Sequence, residues 1–400
     1  MSARSQHMVG IALGLLLAAV VVVALSARID QPTVAPSPVA PVSEFDDPLQ
    51  LVWVQYASDA DAIVGRTQAD FLAALAPTTQ IVVTLAGPGE NTALDRFLAN
   101  HQLTDRLRDR LQRVMVPGPI TPWTRDRALF LRNDAGGLRL LVPPPPDEAW
   151  ERRSNDAKAV GYLAAALSKA KVQEIPLEFE GGDLVLTSNA VLYGSNLVAK
   201  NQGRGYAQPS DLAKSLQQWT GRPALGLGSD DGDVPRYHMA MYLAVTGPKQ
   251  ALVGDPSLAR AVTGLHWNSG ERSVEDSAVL LADDSSATQA QFDRAANDLQ
   301  RAGWQVQRVP VVAFDERTYM TWTNVVAESG NGKRVYLPVY ARESDAIASP
   351  VRRLDALGTA AWQRAGFEVK PIRVAGVWPH HGTIGCLVGV LQRGHVTDRK

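Results

Sequence analysis

Residues 299–310 read LQRAGWQVQRVP and residues 362–372 read WQRAGFEVKPI. In each, the end of an amphipathic helix runs through a glycine (Gly303, Gly366) into an alternating β-rich stretch, and the glycine stands where a helix C-terminus needs a left-handed residue. Upstream of the first copy, Phe292, Ala295, Ala296 and Leu299 share one helix face, with Ser285 and Ser286 as candidate caps. Weaker copies start at Leu107 (LRDRLQRVMVPGP), Leu167 (LSKAKVQEIP) and Leu216 (LQQWTGRPALGLG), making five helix-to-strand units. Such a repeat predicts an α/β fold whose units are arranged radially, with the segment after each strand facing one central mouth. Helix, glycine, strand is also how ordinary α/β proteins are punctuated, so the content of those segments has to decide.

The chain has 400 residues, 45% of them hydrophobic, enough to bury a large core. Its 40 basic and 41 acidic residues create no basic field, which argues against nucleic acid as a partner. Residues 9–25 (VGIALGLLLAAVVVVAL) follow Arg4 and His7 and read as an export segment. The small residues Ala24, Ser26 and Ala27 permit cleavage, whereas the length of the run approaches that of a membrane anchor, and both readings stand. Residues 28–48 carry prolines at 32, 36, 38, 41 and 48 and read as an extended tether, which places the start of a single folded domain, 49–400, near Leu49. Periplasmic or extracellular placement follows as an expectation; assembly state does not. In an exported chain with one cysteine, Cys386 cannot form an internal disulfide and is either buried and inert or reactive.

The five strand ends contain PWTRDRALFL with Trp123, Arg125 and Asp126; FEGGDLVLTSN with Glu180 and Asp183; RYHMAMYLAV with His238; TYMTWTNVVAESGNGKRVYLPVY with Asn324; and VWPHHGTIGCLVGVLQ with Cys386. Singly, each has a plain structural reading: a buried Arg–Asp pair, a β-bulge at two glycines, a satisfied histidine. Gly330, Asn331 and Gly332 supply a hairpin turn after Asn324.

In this order the segments resemble the guanidine-modifying enzymes of the pentein fold, which include the agmatine, arginine and peptidylarginine deiminases, the dimethylarginine hydrolases and the amidinotransferases. The resemblance spans roughly residues 50–395, with W-T-R-D and E-G-G-D its most specific parts. It implies a five-unit α/β propeller and a cysteine-dependent hydrolase of a guanidino or amidino compound. In that reading Cys386 is the nucleophile, His238 the acid and then base, Glu180 its partner, and Asp126 a clamp on the guanidinium. Trp123, Arg125, Asp183 and Asn324 complete the substrate site. The implied partner is a small cationic guanidino compound or an arginyl peptide, with no metal and no organic cofactor.

Two positions depart from the pattern. Ala240 stands where many deiminases place a second aspartate, which should weaken binding of an unmodified guanidinium by roughly 1.5–3 kcal/mol. Asp230, Asp231 or Asp233 could replace it, an N-substituted guanidine would need it less, and a non-catalytic pentein domain binding a cationic ligand or a protein at the cell envelope would not need it at all. Gly385 stands where agmatine deiminases usually have histidine.

Overall fold

The computed structural model describes residues 39–133, 136–145, 151–206, 208–228, 233–330 and 332–394. The export segment, most of the proline-rich stretch, Asp230 and Asp231 lie outside them. Among the described residues no helix is long and apolar enough to cross a membrane.

The strands, in chain order, begin with β1 (Val39–Pro41), β2 (Leu49–Tyr56), β3 (Gln80–Ala86), β4 (Leu111–Val116), β5 (Leu129–Asn133), β6 (Leu138–Val142) and β7 (Ala170–Glu174). There follow β8 (Leu184–Leu186), β9 (Val191–Gly194), β10 (Ala224–Leu227), β11 (Leu243–Gly247), β12 (Gln250–Asp255), β13 (Asn268–Arg272) and β14 (Val279–Leu281). The last are β15 (Gln305–Ala313), β16 (Tyr319–Thr321), β17 (Val326–Glu328), β18 (Lys333–Val339), β19 (Phe367–Arg373) and β20 (Gly389–Arg393).

One motif recurs five times among these. An inner strand pairs antiparallel with a middle strand, and the middle strand pairs parallel with an outer one reached through helix. The trios are β5-β6-β7, β8-β9-β10, β11-β12-β15, β17-β18-β19 and β20-β2-β3, the last extended by β4. A parallel pair needs a crossover, and the amphipathic stretches provide it. The helices Ser286–Arg301 and Pro350–Arg364 lead into β15 and β19, and Gly303 and Gly366 take left-handed φ values of 79° and 88°. Ser285 caps the first of them by accepting from the Thr288 amide. The third trio carries the hairpin β13-β14 between its middle and outer strands, which accounts for the long chain separation of His238 from Asn324.

The fold begins before Leu49. β1 pairs with β5, the Val42 amide donates to Phe130 O at 2.8 Å, and the Glu44 amide donates to Leu186 O at 2.9 Å. Arg393, fully enclosed, donates to the carbonyls of Glu44, Asp46 and Asp47. Val39, Val42 and Phe45 are buried, so this stretch has an apolar side that proline content alone conceals. It borders a cavity lined also by Leu129, Leu186, Val326 and Val388, which belong to, or directly precede, inner strands of four trios.

Candidate active site

Of Asp126, Glu180, His238, Asn324 and Cys386, four stand at single 3-10 turns that directly precede inner strands. Asp126 lies in Thr124–Arg127 before β5, Glu180 caps Gly181–Asp183 before β8, His238 caps Met239–Met241 before β11, and Cys386 lies in Ile384–Leu387 before β20. Asn324 sits between β16 and β17. The turn at 124–127 touches those at 181–183 and 384–387, and 181–183 touches 239–241. This packing explains the double glycine of E-G-G-D. A Cβ at Gly181 would overlap the carbonyl of Arg125, and one at Gly182 would come within 2.6 Å of the His238 ring.

Cys386 is buried, and Asn324 Nδ2 donates to its Sγ at 2.9 Å. His238 Nε2 lies 2.8 Å from Glu180 Oε2, and its ring stacks on Tyr237 at 4.1 Å and 13°. Arg317 covers the Tyr237 ring, with Cζ 5.5 Å from its centre. Burial works against the imidazolium, but Cys386 and then Glu180 favour it more strongly and lift His238 to about 10. His238 Nδ1 is buried and makes no hydrogen bond at ordinary distance. Glu180 is held below the usual carboxylate range: burial opposes this, and the hydrogen bond and charge of His238, with Arg153, prevail. Asp126 is pushed up, first by burial and then by the charge of Glu180.

Trp123 packs its indole on Gly382, beside Cys386. Arg125 and Asp183 have other engagements. Arg125 grips Glu44 through both Nη atoms (3.2 and 2.5 Å), and Asp183 accepts from Lys200 Nζ (2.8 Å) and the Glu180 amide (2.9 Å). Asp183 therefore fixes the turn that presents Glu180, and Arg125 fastens the N-terminal stretch to the turn that presents Asp126. Of the acids considered in place of Ala240, Asp233 pairs with Arg294 at 3.3 Å. At Gly385 the Asn324 side chain fills the space a side chain would need. His381 Nδ1 is 2.9 Å from Thr318 Oγ1, and burial lowers its pKa and that of His380. Among the described residues no group of three or more His, Cys, Asp or Glu is arranged to hold a metal ion.

Sequence reasoning passed over Arg153. It stands in the first turn of the helix Glu151–Ala166, and its Nη2 reaches Asp126 Oδ2 at 2.9 Å and Glu180 Oε1 at 2.8 Å. Its only local signal is a basic pair with Arg152 on an amphipathic stretch, which most surface helices share. Tyr237 was also missed, since nothing in RYHMAM marks an aromatic stacked on the histidine.

No family model and no curated protein matches the sequence. The fold does match. The agmatine deiminase of C. jejuni superposes with a TM-score of 0.61 at 12% identity, covering 91% of this chain and 99% of that one. The agmatine deiminase of Enterococcus faecalis gives 0.59 at 14% identity, covering 91% and 100%. The chain has the pentein fold. Identity this low carries the pentein architecture and no activity; what the pentein turns hold in this chain has to be read from its own side chains.

Proposed function

We propose that this protein is a cysteine-dependent hydrolase of a guanidino or amidino compound, working as deiminases do. The observation that carries the reading is the convergence of Asp126, Glu180, His238 and Cys386 on neighbouring turns, with His238 paired to Glu180 at 2.8 Å. A guanidinium carbon is a weak electrophile and needs carboxylates to hold the cation, a soft nucleophile and an acid for the departing amine. Asp126 and Glu180 hold N–H groups. Cys386 Sγ attacks the carbon, His238 gives its proton to the leaving nitrogen, and ammonia or an amine departs as the C–N bond breaks, leaving an S-alkylthiouronium. His238 then takes a proton from water, the hydroxide adds to the carbon, and the C–S bond breaks to give the ureido product and the free thiolate. Ala240 favours substrates with a substituted guanidine. The five trios would close as propeller blades about this centre, and residues 9–25 would place the chemistry beyond the cytoplasmic membrane. The similarity in fold to agmatine deiminases supports the substrate class.

The test is a screen of agmatine, arginine, methylated arginines and arginyl peptides for ureido product, with Cys386→Ser as control. Product from at least one, absent in the variant, is expected. No product from any of them overturns the reading.

A second reading, a non-catalytic pentein domain that binds a cationic ligand, is favoured by Ala240. It is distinguished by saturable agmatine binding without product.

A further inference from the structure

The carboxylates assigned to the substrate already hold a guanidinium. Arg153 Nη2 bridges Asp126 and Glu180 at 2.9 and 2.8 Å, the contacts that a substrate nitrogen would make. Both carboxylates of the clamp already have a partner: Asp126 holds Arg153, and Glu180 holds Arg153 and His238. A guanidinium arriving with Arg153 in place would find Asp126 and Glu180 already engaged, and Ala240 offers no further acid. It gains its charge-assisted bonds only if Arg153 gives them up.

Arg153 is placed to do so. Its side chain keeps 27% of its surface exposed, while Asp126 keeps 6%, so Arg153 borders solvent although its Nη1 is enclosed. Nη1 makes no hydrogen bond and lies 3.7 Å from Asp156 Oδ2, three residues along the same helix, which offers a second mooring. Asp156 is itself fixed by the Thr121 amide, Thr121 Oγ1 and Gln55 Nε2. A cation in the first turn of a helix opposes the helix dipole, so Asp126 and Glu180, not the helix, retain Arg153 there.

We infer that Arg153 is a resident competitor for the substrate clamp, a guanidinium of the chain's own that occupies Asp126 and Glu180 until a guanidino ligand displaces it. This rests on the assignment of those carboxylates to the substrate. The apparent affinity for ligand is then lowered by the fraction of chains in which Arg153 has left the clamp, and a clamp filled in 90–99% of chains costs on the order of 10- to 100-fold. The factor is the same for every guanidino ligand, so Arg153 sets an affinity threshold, which ligands with a second anchoring group meet at lower concentration than bare guanidinium.

The experiment measures agmatine binding by calorimetry on the full chain carrying Cys386→Ser, with Arg153 retained and with Arg153→Gln, Arg153→Ala or Arg153→Lys. A thermal melt confirms folding of each, and Arg153→Gln keeps helix propensity and hydrogen bonding if Arg153→Ala does not fold. At least tenfold tighter binding in Arg153→Gln, with Arg153→Lys closer to the parent, is the expected result. Equal or weaker binding without Arg153 shows that it merely positions the carboxylates and overturns the inference, as does absence of binding in every variant. Failure of the hydrolase reading appears separately, as tight, Arg153-dependent binding with no ureido product from the wild-type chain.

Discussion

Asn324 Nδ2 and Cys386 Sγ lie 2.9 Å apart although 62 residues separate them in the chain. The amide donates to sulfur inside a buried site, where a hydrogen bond to a charged acceptor is worth about 1.5–3 kcal/mol. Asn324→Ala is expected to slow alkylation of Cys386 by iodoacetamide by roughly 10- to 150-fold near neutral pH. An unchanged rate would show that the amide does not support the thiolate.

The pairing of His238 with Glu180 makes stability depend on pH in two windows. His238 is raised from 6.5 to about 10, so its contribution is complete below pH 6.5 and is lost as pH climbs to about 10. Glu180 is depressed from 4.5, so its contribution is present above pH 4.5 and is lost as pH falls below it. The urea midpoint should therefore decline from pH 6.5 to 10, and Glu180→Gln should flatten that decline. An identical slope in the variant would count against the pair.

Two glycines give opposite expectations for the same substitution. Gly181→Ala forces a methyl onto the Arg125 carbonyl and should destabilise the protein by about 1–3 kcal/mol or more, with loss of alkylation selectivity at Cys386. Gly161→Ala, exposed in the helix Glu151–Ala166 with open space around it, should stabilise by about 0.5–1 kcal/mol. Chemical denaturation of both variants checks the pair.

Glu44 and Arg125 set where the folded domain starts. A chain beginning at Leu49 loses Glu44 and leaves the part-buried Arg125, 12% exposed, without its carboxylate, a change that costs about 1–3 kcal/mol. That fragment should melt at least several degrees below one beginning at Pro38. Equal melting temperatures would return residues 39–48 to the role of a tether.

The periodic features were legible in the sequence: five helix-to-strand units, the glycine stops Gly303 and Gly366, and the residues at the strand ends, because each is encoded within about twenty neighbouring positions. What escaped depends on distant partners. Arg125 looks like half of a local Arg–Asp pair until Glu44, 81 residues away, takes its guanidinium. Asp183 looks like a ligand until Lys200 claims it. Arg153 is an unremarkable surface cation until the fold carries its helix over Asp126 and Glu180. Residues 39–48 look like linker because proline dominates their composition, while Val39, Val42 and Phe45 decide their fate by burial.

β20 pairs with β2, so the sheet begun by the first long strand is completed by the last. Cys386 lies three residues before β20 and is presented by the turn that leads into it. During synthesis the thiol is thus the last of the candidate groups to leave the ribosome, and its turn cannot be seated until nearly the whole chain is available. Whatever chemistry these turns support is thereby deferred to the end of folding: a nascent chain carries Asp126, Glu180 and His238 but no seated thiol.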